Sequence, residues 1–463
     1  MKTLLTVLAA AVLAFSPGRS PAPLAITNVT VIDTTGGPSR PGTTVLVEGG
    51  RITTVAPSTD ATVPAGARVI DGSGKFLVPG LWDMHIHLFF GDWVPGGREI
   101  TLPLLLANGV TGARDMGSDL EPILAARRDV GSGRLLGPRL VVSGPMLDGP
   151  KSQFPSSISL TTPEDGRRAV EMLAGKGVDF VKIQSYVPHD AYLAVADECR
   201  KRKMVFAGHV PDQVRPAEAC DAGQKSWEHL IGVFEGSSTA ESQFLTEKKA
   251  PSRFLETFDA DKEAALFRRL AASGTWQCPT LYWERGQWLV DEIDVTKDPN
   301  LKYAPASWKR KTWPEFRKGI LEGLATDPLP VREKFVRHEL EIVARMRRDG
   351  IPFLAGTDTP AGVGVLPGFS LHRELERFVD AGFTPLQALQ TATLNPAIYL
   401  DRRRDFGTIE SGRLADLVLL EADPTTDIRN TRRIAAVISS GRLLTRADLD
   451  RVLAEVERYA RSH

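Results

Sequence analysis

The segment Val78–Phe90 reads VPGLWDMHIHLFF, and two of the chain's eight histidines stand one residue apart inside it. The flanking residues are those of a buried strand, yet imidazoles are polar and titratable, and rarely placed in apolar runs without a partner. On a strand, alternate side chains share a face. His85 and His87 therefore project together, while Met84, Ile86 and Leu88 go to the other side. Neutral imidazole is a standard ligand for zinc and related cations, so a paired His-x-His in a strand points to a metal site.

Working outward, the region 78–404 alternates short apolar strands with helices. Thr162-Pro163 supplies an N-cap followed by an N1 proline for a helix running to Lys176-Gly177, and the strand DFVKIQ follows. A helix over about 190–201 leads into MVFAGHV, a short helix near 216–222 leads into SWEHL, and the amphipathic VREKFVRHELEIVARMRRDG leads into IPFLAGTDTP. Repeated strand-then-helix units predict parallel strands, about eight of them. This is an α/β fold, a (β/α)8 TIM barrel. An open doubly wound sheet is the alternative, but no Gly-rich dinucleotide fingerprint follows the first strand.

Both ends of the chain have a different texture. Residues 21–77 and 405–446 alternate β-branched and polar residues between glycine turns, as in TTVLVEGGRITTVAP and RRIAAVISSGRLL. They predict one small β-sandwich domain built from two segments, with a C-terminal helix over 447–463. The stretches 284–330 and 236–254 are weakly periodic and predict a lid or binding loops.

Polar residues recur at the ends of the other strands. His209 ends FAGHV, His229 ends SWEHL, Asp358 ends FLAGTD, and Lys182 sits within DFVKIQ. Each has an ordinary structural explanation alone. Together, four histidines, a lysine and an aspartate at strand ends describe a metal-ligand set at a barrel mouth.

The ordered set resembles the amidohydrolase superfamily in its binuclear, carboxylated-lysine form. VPGLWDMHIH resembles the first barrel strand of that family, GVTGARDMGS (109–118) the second, TLNPA (393–397) the last helix, and GTIESGRLADLVLL the return to the β domain. Within the family the chain resembles secreted, imidazolonepropionase-like members, among them metal-dependent dipeptidases and carboxypeptidases. The resemblance implies two divalent metal ions, with Zn2+ favoured by imidazole ligation. His85, His87 and Asp358 would hold one, His209 and His229 the second, and N6-carboxylysine at Lys182 would bridge them. It also implies attack by a metal-bridged hydroxide with Asp358 as general acid/base. The bond cleaved would be an amide C–N bond, in a dipeptide or N-acyl amino acid. A lactonase, or an organophosphate or carboxyl-ester hydrolase, would use the same metal pair and is the alternative. VVSGPMLDGPKSQFP departs from the Gly-Gly-His turn of the peptidase members. Tyr186, Tyr282 and Trp283 are the expected substrate-binding residues, and His372 a supporting one.

Bulk properties constrain partners. With 57 basic and 57 acidic residues, nothing calls for nucleic acid, so a small-molecule substrate is expected, and a homo-oligomer is compatible. Met1-Lys2, the apolar run from Leu4 to Phe15 and Ser16-Pro17-Gly18 form a signal peptide over 1–20. The run is too short to span a bilayer, so the mature chain has no membrane span and is secreted or periplasmic. Cys199, Cys220 and Cys278 are too few for a disulfide framework and read as buried apolar residues.

Overall fold

The computed structural model describes residues 22–91, 94–152, 154, 156–247, 249–324 and 326–463. The expected signal peptide over 1–20 lies outside them.

Strands from both ends of the chain form one eight-stranded sheet. Its path runs Arg442–Thr445, Ile434–Ser439, Leu417–Leu420, Phe76–Pro79, Leu24–Val31, Arg40–Glu48 and Arg51–Pro57, with Arg68–Asp71 pairing beside Leu24–Val31. Phe76–Pro79 pairs antiparallel with Leu417–Leu420, so the two distant segments share one ladder. Ile26, Val29, Val45, Leu417 and Ile438 bury its apolar face.

The middle of the chain builds two parallel sheets. Leu81–Ile86, Val110–Asp115 and Arg139–Val142 form one. Leu147–Asp148, Phe180–Ile183, Val205–Gly208, Ser226–Glu228 and Trp276–Cys278 run side by side in the other, with Ile158–Ser159 at its edge. Every residue of Leu81–Ile86, Val110–Asp115 and Phe180–Ile183 is buried, as expected for parallel strands covered on both faces. The arrangement is TIM-barrel-like. The helix Pro163–Lys176 forms where expected. Thr162 accepts from the Asp165 amide, proline occupies the first turn, and Gly177 closes the helix in the left-handed region at φ 75°.

Two segments differ from expectation. IPFLAGTD forms no regular strand. It still bridges the parallel sheets, because Leu354 N donates to Gln277 O, Met84 N to Ala355 O and Asp358 N to His85 O. Asp358 itself lies at φ 54°, outside strand geometry, and ends the segment. The second is 284–330, expected as a loop. It carries the helices Leu281–Trp288 and Trp313–Gly323 joined by short tight turns. Trp308 and Trp313 are buried with Val290 and Tyr303 against Val456 of the C-terminal helix Arg446–Ser462, so tryptophan anchoring fixes a segment lacking simple periodicity. The stretch 236–254 is a run of turns leading into the helix Pro251–Thr257, with Phe244 and Phe254 buried. All three cysteines are free and buried.

Candidate metal centre

The six ligand candidates meet at the carboxyl ends of the parallel strands. His85, His87, Lys182, His209, His229 and Asp358 all line one cavity of about 410 Å3. Asp358 is the hub. Its Oδ1 lies 3.0 Å from His87 Nε2 and 3.4 Å from His85 Nε2, and its Oδ2 lies 4.0 Å from His229 Nε2. The rings of His85 and His229 are 4.6 Å apart between centroids, and those of His209 and His229 5.1 Å apart.

Local backbone geometry delivers these groups at some cost. His229 at φ 61° and Asp358 at φ 54° both occupy the left-handed region, which non-glycine residues seldom adopt without functional reason. Two glycines allow the close approach. At Gly208, φ is 132° and a Cβ would fall 2.2 Å from Ile183 O and 2.9 Å from Lys182 Cδ. At Gly356 it would fall 2.7 Å from His85 Cβ.

Each imidazole is oriented through Nδ1. His87 Nδ1–H donates to the Gly117 carbonyl at 2.8 Å, and His85 Nδ1–H to Glu228 Oε2 at 2.9 Å. His209 Nδ1 pairs with Ser185 Oγ at 2.7 Å, and His229 Nδ1 with Thr280 Oγ1 at 2.7 Å. A carbonyl can only accept, and Glu228 already accepts from Arg114, so His85 and His87 must carry the proton on Nδ1. Their Nε2 lone pairs then face the cavity, which is how metal-ligating histidines are usually held.

Glu228 belongs to a wholly buried network. Arg114 Nη2 donates to both of its oxygens at 2.9 and 3.0 Å, and Ser226 Oγ–H donates at 2.6 Å. Arg114 also donates to Tyr399 Oη and to the Met84 carbonyl. Glu228, Arg114, Ser185 and Thr280 were missed in the sequence reading. A glutamate and an arginine inside the apolar strands SWE and VTGARD were the available signal, since charged residues are almost never fully buried unless paired.

Burial sets the protonation. It pushes the imidazoles of His85, His209 and His229 well below their usual range, with Lys182 adding to the effect, so all three are neutral near pH 7. Burial also lowers the Lys182 ammonium to about 8, against the pull of Glu228 and Asp358. The Asp358 carboxyl is raised by burial and partly restored by His87. Among the six candidate side chains, His85 Nε2 and Lys182 Nζ are buried without a hydrogen-bond partner, as is Gln184 Oε1 in the same cavity wall. An orphaned buried polar group costs about 1–3 kcal/mol, so the donor set fits cations that would satisfy these atoms together with the Asp358 carboxylate.

The other expected residues are placed as follows. Trp283 lines the cavity, with its ring 4.7 Å from that of His229. Tyr186 is largely exposed and is not among the described lining residues. Tyr282 is not among them either. Its amide donates to Glu374, and its phenol lies among Asp298, Arg373, Arg285 and Arg432. His372 is buried and pairs with Thr431 Oγ1 at 3.0 Å, away from the cavity.

The model of the Amidohydrolase family matches residues 76–444. The chain belongs to the amidohydrolase family. An adenine deaminase of Rubrobacter xylanophilus is 26% identical over 447 residues, covering 96% of this chain, which spans only 60% of that relative's length. An imidazolonepropionase of Symbiobacterium thermophilum is 26% identical over 424 residues, covering 87% of this chain and 90% of its own. Among solved structures, bottromycin amidohydrolase superposes with a TM-score of 0.72 at 24% identity, covering 95% of this chain and 91% of its own.

Proposed function

We propose that this amidohydrolase is a metal-dependent hydrolase of an amide C–N bond in a dipeptide or N-acyl amino acid, working in a closed (β/α)8 barrel with an appended β-sandwich. The observation that carries the reading is the convergence of four imidazoles, Lys182 and Asp358 on one cavity, with His85 Nε2 and Lys182 Nζ buried and unpartnered. His85, His87 and Asp358 would hold one divalent cation, and His209 and His229 a second. Lys182 would join the two as a carbamate, formed when its neutral amine adds CO2 and releases a proton. The lowered basicity of the buried Lys182 amine favours that addition. When bound, such cations polarise a carbonyl and raise the acidity of water.

The chain's own groups supply the rest. Asp358 accepts a proton from the attacking water at its carboxylate and hands it to the leaving nitrogen, as a general base and then acid. Gly117, Glu228, Ser185 and Thr280 hold the four rings so that Nε2 faces inward in each turnover. Trp283 and Ile320 wall the cavity and limit water around the reacting carbonyl. The apolar segment near the N-terminus supports export to the periplasm or beyond. Among the described residues no helix is long and apolar enough to cross a membrane.

The test is a screen of amides, esters and lactones with zinc-loaded protein, before and after chelation. Amide turnover that disappears with the metal and returns on reloading supports the reading. Ester or lactone turnover without amide turnover contradicts it.

A further inference from the structure

The cavity holding the ligand set does not end at His209 and His229. On their far side lies a second cavity of about 390 Å3, and the two share His209, His229, Trp283, Gln287 and Ile320 as a common wall. The second is lined chiefly by apolar side chains, among them Ile231, Phe234, Phe254, Trp288 and Leu324. The Phe234 and Phe254 rings lie 5.4 Å apart, within the range of favourable aromatic packing.

Its lysine is already ion-paired. Lys249 Nζ lies 2.8 Å from Glu235 and 2.9 Å from Asp212, so that cation is shared between two carboxylates. Glu284 is buried, and burial together with neighbouring Glu339 pushes its carboxyl well above the usual range. A charged group entering this space would lose its water and find Lys249 and Glu235 already paired with each other, whereas an apolar group would gain from burial. A dry cavity of roughly 150 Å3 accommodates one benzene ring, so this one has room for two fused rings or a ring with a chain.

Asp358 lines the first cavity and not the second. With Asp358 as the proton carrier, an amine leaving into the first cavity would set the acyl side of the bond toward the second. We propose that the second cavity is an acyl-arm subsite, and that the substrate is an amide whose acyl group is bulky, uncharged and aromatic, such as an arylacyl amide. This rests on the amide-hydrolysis reading and narrows it away from dipeptides, whose acyl residue carries an ammonium. In the reaction one water is consumed. The C–N bond breaks and a C–O bond forms at the acyl carbon, one water proton goes to the amine through Asp358, and the other leaves as the carboxylic acid ionises.

Three 4-nitroanilides with one leaving group isolate the arm: 2-naphthylacetyl (bulky, apolar), acetyl (small) and glycyl (charged). With zinc-loaded full-length protein, kcat/KM should be at least about tenfold higher for naphthylacetyl than for either of the others. Gly323 lines only the second cavity, and a Cβ there meets nothing within 4 Å. Gly323→Phe sets a ring at the rim of the second cavity with no steric clash at its Cβ, and should lower the naphthylacetyl-to-acetyl ratio at least tenfold. Independently of turnover, 2-acetylnaphthalene should quench tryptophan fluorescence of the metal-free protein, through Trp283 and Trp288, and bind the Gly323→Phe variant more weakly. Glycyl or acetyl substrates cleaved as well as naphthylacetyl would overturn the subsite while leaving amide hydrolysis intact. No cleavage of any amide would remove the underlying reading, and the subsite with it.

Discussion

Substituting Glu228→Gln removes the negative charge from a pair in which both Glu228 and Arg114 are 0% exposed. Two bonds of 2.9 and 3.0 Å to Arg114 Nη2 are affected, along with the 2.9 Å bond from His85 Nδ1. A glutamine carbonyl can still accept from His85, but its NH2 then faces the guanidinium, donor against donor. Removing one partner of a fully buried pair leaves an uncompensated charge and costs about 3–5 kcal/mol. The metal should also suffer, because loosening the partner of a ligating histidine typically lowers affinity about 10–100-fold. Urea unfolding of metal-free protein reads the first effect, and competition against a zinc chelator reads the second. The double variant Arg114→Met/Glu228→Gln removes both charges and should recover about 1–3 kcal/mol relative to the sum of the single losses. A loss below about 1 kcal/mol in Glu228→Gln, or additivity of the two substitutions, would refute the idea that this ion pair carries His85.

Other outcomes follow from the same geometry. Asp358→Asn should lower kcat by about 10^2–10^4 while zinc analysis finds most of the metal retained; full activity would remove Asp358 as proton carrier. Lys182→Ala should lose metal and activity together, with partial recovery on adding short carboxylic acids, read by metal analysis and amide turnover. Burial raises the Glu374 carboxyl from 4.5 to about 8, only partly opposed by the Leu281 and Tyr282 amides that donate to it. The folded chain then holds a proton that the unfolded chain has already released, so stability falls as pH rises through that window. Between pH 7 and 8 Glu339, raised by burial to about 8, titrates with the same sign, and Lys182, lowered by burial to about 8, with the opposite sign, so the difference from Glu374→Gln isolates this group. There urea unfolding of metal-free protein should show a decline of about 1 kcal/mol from this group, shallower in Glu374→Gln. A steeper decline in the variant would contradict the assignment.

Residue pattern alone singled out the candidate ligands that line one cavity, and the physical reason is periodicity. His85 and His87 share a strand face whatever the tertiary context, and Lys182, His209 and His229 sit at or near the carboxyl ends of recognisable apolar strands. The Thr162-Pro163 cap and Gly177 likewise act locally, and the helix between them has the expected limits. What escaped notice depends on distant contacts. Glu228 meets His85 across 143 positions, and Thr280 meets His229 across 51. The segment 284–330 hides its helices because buried tryptophans and tight turns hold it, with no repeating stripe to read. Tyr186 followed the Lys182 strand in sequence, yet its side chain turns toward solvent. The second cavity, assembled from elements far apart in the chain, has no local signature at all.

The account depends on two cations bound by six side chains. Anomalous diffraction from zinc-loaded crystals tests that directly. Two peaks should appear in the cavity lined by His85 and Asp358, within about 2.0–2.1 Å of the Nε2 atoms of the histidines, with density for a carboxyl group on Lys182. Peaks elsewhere on the protein, or none in that cavity after full loading, would contradict it.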